Sequence, residues 1–188
     1  SGGRFTQTSA IMGNDLSTLP DFPAEIRAPA GSLAGVSSFQ IHFSSQEIHT
    51  PGEKPDVLVA MNPAALKVHL KDLTPGGALI INKNAFTNKN LKLAGYDSDP
   101  TEDGSLEDYY STHFIEMSKM VELACQGIDL SPKLIDRTKN LCALGVLFWM
   151  YDRPLEPTID WLNKKFKSKP DVVEANVRAL NTGYNYGD

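Results

Sequence analysis

Residues 56–82 read DVLVAMNPAALKVHLKDLTPGGALIIN, and this stretch decides the fold. Residues 56–61 are a short continuous apolar run, the pattern of a central strand covered on both faces. Asn62-Pro63 follows, an N-cap residue with proline at the first helical position, where a backbone N–H has no intrahelical partner to lose. The helix is expected to reach about Leu73, because Leu66, Leu70 and Leu73 fall on one stripe. Pro75-Gly76-Gly77 breaks it, and residues 78–82 form the next strand. Strand, helix and strand in this order predict parallel pairing through a right-handed crossover.

Upstream, residues 36–43 alternate. Phe39, Ile41 and Phe43 share one face; Ser38, Gln40 and His42 share the other, as in a half-buried strand. Residues 15–19 predict a short strand, punctuated by Pro20 and Pro23, and residues 47–49 a short partner strand. Phe5, Ser9 and Met12 recur at helical spacing over residues 4–12, with Gly13 or Asn14 to end that helix. Downstream, residues 88–94 predict a short helix, 97–108 an acidic solvated loop, and 111–115 a further strand. A helix over 117–126 stops at Gly127, and Ser131-Pro132 starts a long apolar helix through Leu134, Thr138, Leu141, Gly145 and Phe148. Helices near 158–166 and 171–180 precede a turn-rich tail, 181–188. Strands dominate the first part and helices the last. The expected architecture is α/β: a three-layer α/β/α sandwich whose sheet is largely parallel but mixed, with at least one antiparallel edge.

The bulk properties agree with one well-buried core. The chain has 188 residues, 41% hydrophobic and 22% charged, which excludes disordered, collagenous and coiled-coil readings. Its net charge of −5 gives no basic footprint for nucleic acid or an anionic membrane, so an anionic ligand needs a local cationic site. The longest apolar run, residues 141–151, is well short of the roughly 20 residues of a bilayer span, and no secretory signal opens the chain. A cytoplasmic location is expected. Cys125 and Cys142 lie inside apolar helical stretches, as free thiols packed in a reducing compartment do. Two thiols cannot supply the four ligands of an ordinary iron–sulfur cluster.

The chemical inventory is sparse. His42, His49, His69 and His113 lack partners at zinc-site spacing, and no nucleophile elbow, Rossmann fingerprint or P-loop is present. The stretch that stands out is 23–38, PAEIRAPAGSLAGVSS, directly ahead of the alternating strand. Its small residues let backbone N–H groups approach a ligand, Ser32 and Ser37 add hydroxyls, and Arg27 offers a bidentate fork to phosphate or carboxylate. The same residues also suit a surface loop in which Arg27 pairs with Glu25 or another carboxylate.

Residues 14–31, NDLSTLPDFPAEIRAPAG, continuing through 36–43, closely resemble the gamma domain of 2-oxoacid:ferredoxin oxidoreductases. The form resembled is the one fused at the N-terminus of the alpha subunit in 2-oxoglutarate-type enzymes. The resemblance takes in Thr50-Pro51-Gly52 and residues 56–66, 73–81, 140–147 and 153–158, and ends in 179–187, ALNTGYNYG. It implies a gamma domain over residues 1–180, with 181–188 a linker towards a thiamine-binding domain. In the family a first strand and a Gly-rich turn precede the helix that begins here near Arg4; they are either lost from this piece or carried on another.

The resemblance also implies a reaction. A thiamine diphosphate ylid attacks the 2-oxoacid, carbon dioxide leaves, electrons pass through an iron–sulfur cluster to ferredoxin, and coenzyme A collects the acyl group. From 2-oxoglutarate the product is succinyl-CoA. Thiamine diphosphate, Mg and the 4Fe–4S cluster are then expected on other domains or on the beta subunit, and the hard chemistry is theirs. The partners implied are the beta subunit, the remainder of the alpha subunit, and ferredoxin. The gamma domain itself is associated with closing over the active site and with coenzyme A. On that basis Arg27 matches a basic loop position facing coenzyme A phosphates, with Gly31, Ser32 and Ser37 in the surrounding loop. The alternative is a purely structural module that holds the subunits together. An independent nucleotide-binding protein is disfavoured by the missing glycine fingerprint.

Overall fold

The computed structural model describes the backbone of residues 15–21 and 38–44, and residues 54–187 in full. The helix expected over 4–12, the loop carrying Arg27, Gly31, Ser32 and Ser37, and the strand expected over 47–49 lie outside the described residues. Strands β1 (Asp15–Asp21) and β2 (Ser38–Ser44) pair with each other in a two-stranded sheet. The rest of the described chain divides into two compact units, residues 54–116 and residues 117–187.

The first of these is the strand–helix–strand unit predicted from residues 56–82, extended by one strand. Strands β3 (Val57–Ala60), β4 (Ala78–Asn82) and β5 (Ser111–Ile115) form a parallel sheet in that order. Ala60 pairs with Ile81, Ile81 with Phe114, and Asn82 with Ile115. Helix α1 (Pro63–His69) begins as the sequence predicts: Asn62 Oδ1 accepts the Ala65 N–H at 2.8 Å, and Pro63 occupies the first turn. Its continuation towards Leu73 is a tight turn, Leu70–Asp72, of 3-10 type. The chain then reverses through Gly76, whose φ of 78° is left-handed, and Gly77. A Cβ on Gly77 would lie 2.8 Å from the Thr74 carbonyl oxygen and 2.9 Å from that of Asp56, so only glycine fits there.

Ala60, Leu79 and Ile81 bury one face of this sheet against Leu66, Leu73, Phe86, Leu91 and Leu106. Leu91 comes from the short helix α2 (Asn88–Leu93). Each of the Leu, Ile and Phe side chains contributes about 1.5–3 kcal/mol on full burial. One expectation is adjusted. Residues 56–61 read as a central strand, yet among the described strands β4 is the middle one, with Leu79, Ile80, Ile81 and Asn82 all buried. The acidic connection 97–108 is not merely solvated either: Leu106 and Thr101 are buried within it.

The second unit is helical: α3 (Met117–Ala124), α4 (Pro132–Arg137), α5 (Lys139–Met150), α6 (Glu156–Lys165) and α7 (Pro170–Tyr184). The apolar helix expected from Ser131 onwards is two helices, separated at Thr138, whose hydroxyl donates to the Ile135 carbonyl at 2.7 Å. Helices α5 and α7 approach backbone to backbone. A Cβ on Gly145 would sit 2.1 Å from the Leu180 carbonyl oxygen, and one on Gly183 would sit 1.9 Å from that of Cys142. Residues 181–184, expected in a turn-rich tail, therefore belong to a helix, with Gly183 buried at its crossing point. Arg178 on α7 donates to the Ala124 and Gln126 carbonyls at 3.0 and 3.2 Å, satisfying oxygens left open at the end of α3. No helix among the described residues is long and apolar enough to cross a membrane.

Candidate functional site

Ligands of open parallel sheets bind outside the carboxyl ends of the strands. Here those ends carry Asn62 after β3, Asn82 closing β4 with Lys83 and Asn84 after it, and Glu116 after β5. The strands end together because their register is even, and α1 and the 3-10 turn Lys83–Ala85 lead the chain away.

Most of these groups are engaged. Asn62 caps α1. Asn84 Nδ2 donates to Glu116 Oε1 at 3.4 Å, joining the ends of β4 and β5. Lys83 Nζ contacts Thr101 Oγ1 and Glu102 Oε1, with an Asp99 carboxylate oxygen at 3.7 Å. Asp99 in turn accepts from the Thr101 N–H at 2.9 Å and the Thr101 hydroxyl at 2.6 Å. The acidic loop thus folds onto the carboxyl end of the middle strand and neutralises its cation. Asn82 differs. Its side chain is fully buried, and neither its amide nitrogen nor its carbonyl oxygen has a partner among the described residues.

Four described titratable groups, Tyr96, Asp103, Cys125 and Cys142, are displaced from their ordinary ranges. Hydrogen bonds from the Ser105 hydroxyl and N–H hold the Asp103 carboxyl below its usual range. Burial pushes the Tyr96 hydroxyl up, and likewise both thiols, Cys125 upward and Cys142 to about 11. Cys125 and Cys142 are buried free thiols, and two thiols are half of the four ligands that an ordinary iron–sulfur cluster takes. Among the described residues no group of three or more His, Cys, Asp or Glu side chains could hold a metal ion.

Of the residues singled out by sequence, Arg27, Gly31, Ser32 and Ser37 lie outside the described residues, and His42 is placed only by its backbone in β2. Sequence reasoning passed over Asn82 and Lys83. The signal was there: a lone amide closing the apolar run ALII, at the carboxyl end of a strand predicted to be parallel.

Comparison with known proteins gives a consistent picture. Residues 1–186 match the family described as pyruvate ferredoxin/flavodoxin oxidoreductase. The chain is 51% identical over 187 residues to the 2-oxoglutarate oxidoreductase subunit KorA of Mycobacterium tuberculosis, all of this chain but only 28% of the relative's length. Among solved structures it is similar to 2-oxoglutarate:ferredoxin oxidoreductase from Magnetococcus marinus, which has 2-oxoglutarate, coenzyme A and succinyl-CoA bound. That likeness has a TM-score of 0.67 at 23% identity and covers 98% of this chain and 27% of that one. The gamma subunit of a keto/oxoacid ferredoxin oxidoreductase from Geobacter sulfurreducens gives a TM-score of 0.59 at 16% identity, covering 98% of this chain and 87% of that subunit. The structural likenesses carry the fold alone, that of a chain the size of a gamma subunit.

Proposed function

The chain belongs to the pyruvate ferredoxin/flavodoxin oxidoreductase family, and from that premise we propose that it is the gamma domain of a coenzyme A-dependent 2-oxoglutarate:ferredoxin oxidoreductase. The observation that carries this reading is the 51% identity to a 2-oxoglutarate oxidoreductase subunit across the whole chain. In the proposed reaction 2-oxoglutarate loses carbon dioxide, the electron pair left behind passes to ferredoxin, and the coenzyme A thiol takes up the succinyl group. Thiamine diphosphate supplies the carbanion chemistry when bound, with Mg and the 4Fe–4S cluster, on other domains or on the beta subunit. This domain's share is to contact coenzyme A and to close over the active site. Arg27 engages the coenzyme A phosphates, supported by Gly31, Ser32 and Ser37, within a cytoplasmic complex of the beta subunit and the remainder of the alpha subunit.

The absence of a nucleophile–base pair in the sequence suits a domain that positions a cosubstrate. Replacing Arg27 with Ala in the assembled enzyme tests the reading against the docking alternative. A charge-assisted contact to phosphate predicts an apparent KM for coenzyme A raised about tenfold or more, with assembly intact. An unmoved KM with weakened subunit association would instead make the domain a structural module.

A further inference from the structure

The turn between α6 and α7 gathers charge that the folding of the domain does not explain. Residues 161–170, WLNKKFKSKP, hold Lys164, Lys165, Lys167 and Lys169 and no acid, in a chain whose net charge is −5. All four lysines are exposed. None of them makes an ion pair among the described residues, whereas Lys83, Lys139 and Arg178 each hold a carboxylate. The turn itself is fixed: the Phe166 N–H donates to the Leu162 carbonyl at 3.0 Å, and the Lys169 N–H to that of Phe166 at 2.8 Å. Lys165 Nζ lies 4.5 Å from the Trp161 ring centroid and 5.5 Å from that of Phe166. Lys164 and Lys165 suit the last turn of α6, where cations complement the helix dipole. Lys169 has the opposite position. It is the N-cap residue of α7, where its side chain makes no capping hydrogen bond and its charge meets the positive end of the helix. Local stability gains nothing from that cation, which points to a use outside the domain. We propose that Lys164, Lys167 and Lys169 form a docking surface for the acidic carrier protein that takes the electrons, ferredoxin in the reading above, on which this assignment rests.

The chemistry of the patch selects the partner. Lysine ammonium groups are compact, strongly hydrated point charges, unlike the planar fork of arginine that clamps one phosphate or carboxylate. A group of them attracts a carboxylate-rich surface and lets it go again, raising the rate of encounter more than the affinity. A carrier that must arrive and leave within each turnover needs that behaviour. A long polyanion or an anionic membrane would also meet the chain's overall negative charge, which four lysines do not outweigh. A small acidic protein covers the patch alone. Trp161, stacked against Lys165, is not presented for insertion into lipid. The cluster that delivers the electrons belongs to another part of the assembly, and the patch contributes capture of the carrier.

The test combines Lys164→Gln, Lys167→Gln and Lys169→Gln in the full-length assembled enzyme, leaving the stacked Lys165 in place. With 2-oxoglutarate and coenzyme A saturating and a purified acidic ferredoxin as acceptor, the KM for ferredoxin should rise about tenfold at low salt. Wild-type and variant values should converge as salt is raised, because screening removes what the charges supply. The rate with methyl viologen, a small acceptor that needs no docking surface, should not change, nor should the melting temperature. Carbodiimide coupling of the wild-type complex should join ferredoxin carboxylates to these lysines. An unchanged KM for ferredoxin at low salt would overturn the proposal; if phosphatidylglycerol vesicles then bind the wild type and not the variant, the patch belongs to an anionic lipid surface. Should the triple variant fail to assemble, Lys167→Gln with Lys169→Gln is read by the same criteria. Failure of both to assemble would overturn the proposal and assign the patch to a subunit contact. A wild-type enzyme that reduces no acceptor with any 2-oxoacid would remove the underlying reading itself. An enzyme that reduces ferredoxin equally well with the variant removes this assignment alone.

Discussion

Cys142 shows how far a single side chain can be read from its surroundings. Its thiol is buried in α5, and burial raises its pKa to about 11, above the ordinary thiol value near 8.5. Between those values the unfolded chain has released the proton and the native chain has not, so stability is intact below about pH 8.5 and falls as pH climbs towards 11. Thermal melts across that range should show a declining midpoint, and Cys142→Ala should flatten the decline while lowering stability at neutral pH by about 1–2 kcal/mol. An identical alkaline slope in the variant would reject this account. The sequence made both cysteines legible as buried thiols, because each stands inside an apolar helical run. It did not make Asn82 legible as a buried orphan, because burial at a strand's end depends on what packs there from elsewhere in the chain. Arg27 remains a matter of sequence. Its proposed contribution to coenzyme A binding should weaken as salt rises, measurable as a shrinking gap between wild-type and Arg27→Ala KM values.

Among the elements, the crossing of α5 and α7 makes the sharpest prediction. Gly145→Ala or Gly183→Ala puts a methyl group where a backbone carbonyl already lies, and the helices must separate. Each change should lower unfolding free energy by about 1–3 kcal/mol in a denaturant titration; a neutral result would mean the helices are not in contact as described. The same crossing explains why residues 181–184 read as a tail. Asn and Gly are poor helix formers, so local propensity argued for turns, while contact with Cys142 demanded a residue with no Cβ. Tertiary packing prevailed. The break at Thr138 was hidden for the opposite reason: helical spacing runs through it, and Thr138 keeps a near-helical φ of −70° and ψ of −13°. Strands 78–82 and 111–115 were legible to the residue, the first as an apolar run directly after Pro75-Gly76-Gly77. The acidic loop was half legible, since its pairing with Lys83 spans up to 19 residues and leaves no local pattern. Lys83→Met should free that loop, raising its backbone hydrogen exchange and leaving exchange in α5 and α7 unchanged.

For the whole molecule, the parallel β3–β4–β5 sheet and its crossover helix follow from residues 56–82 and one further strand, an α/β fold as the sequence anticipates. The family was legible less through composition than through a long ordered resemblance, in line with the 51% identity to a KorA subunit. The chain spans about a quarter of that relative's length, 28%, and the proposed activity belongs to an assembly. The most direct measurement is therefore reduction of a low-potential acceptor by the purified enzyme that contains this chain, with 2-oxoglutarate and with coenzyme A present or omitted. Acceptor reduction and succinyl-CoA formation that require both compounds are the predicted result. Failure to reduce the acceptor with 2-oxoglutarate or any other 2-oxoacid would contradict the account.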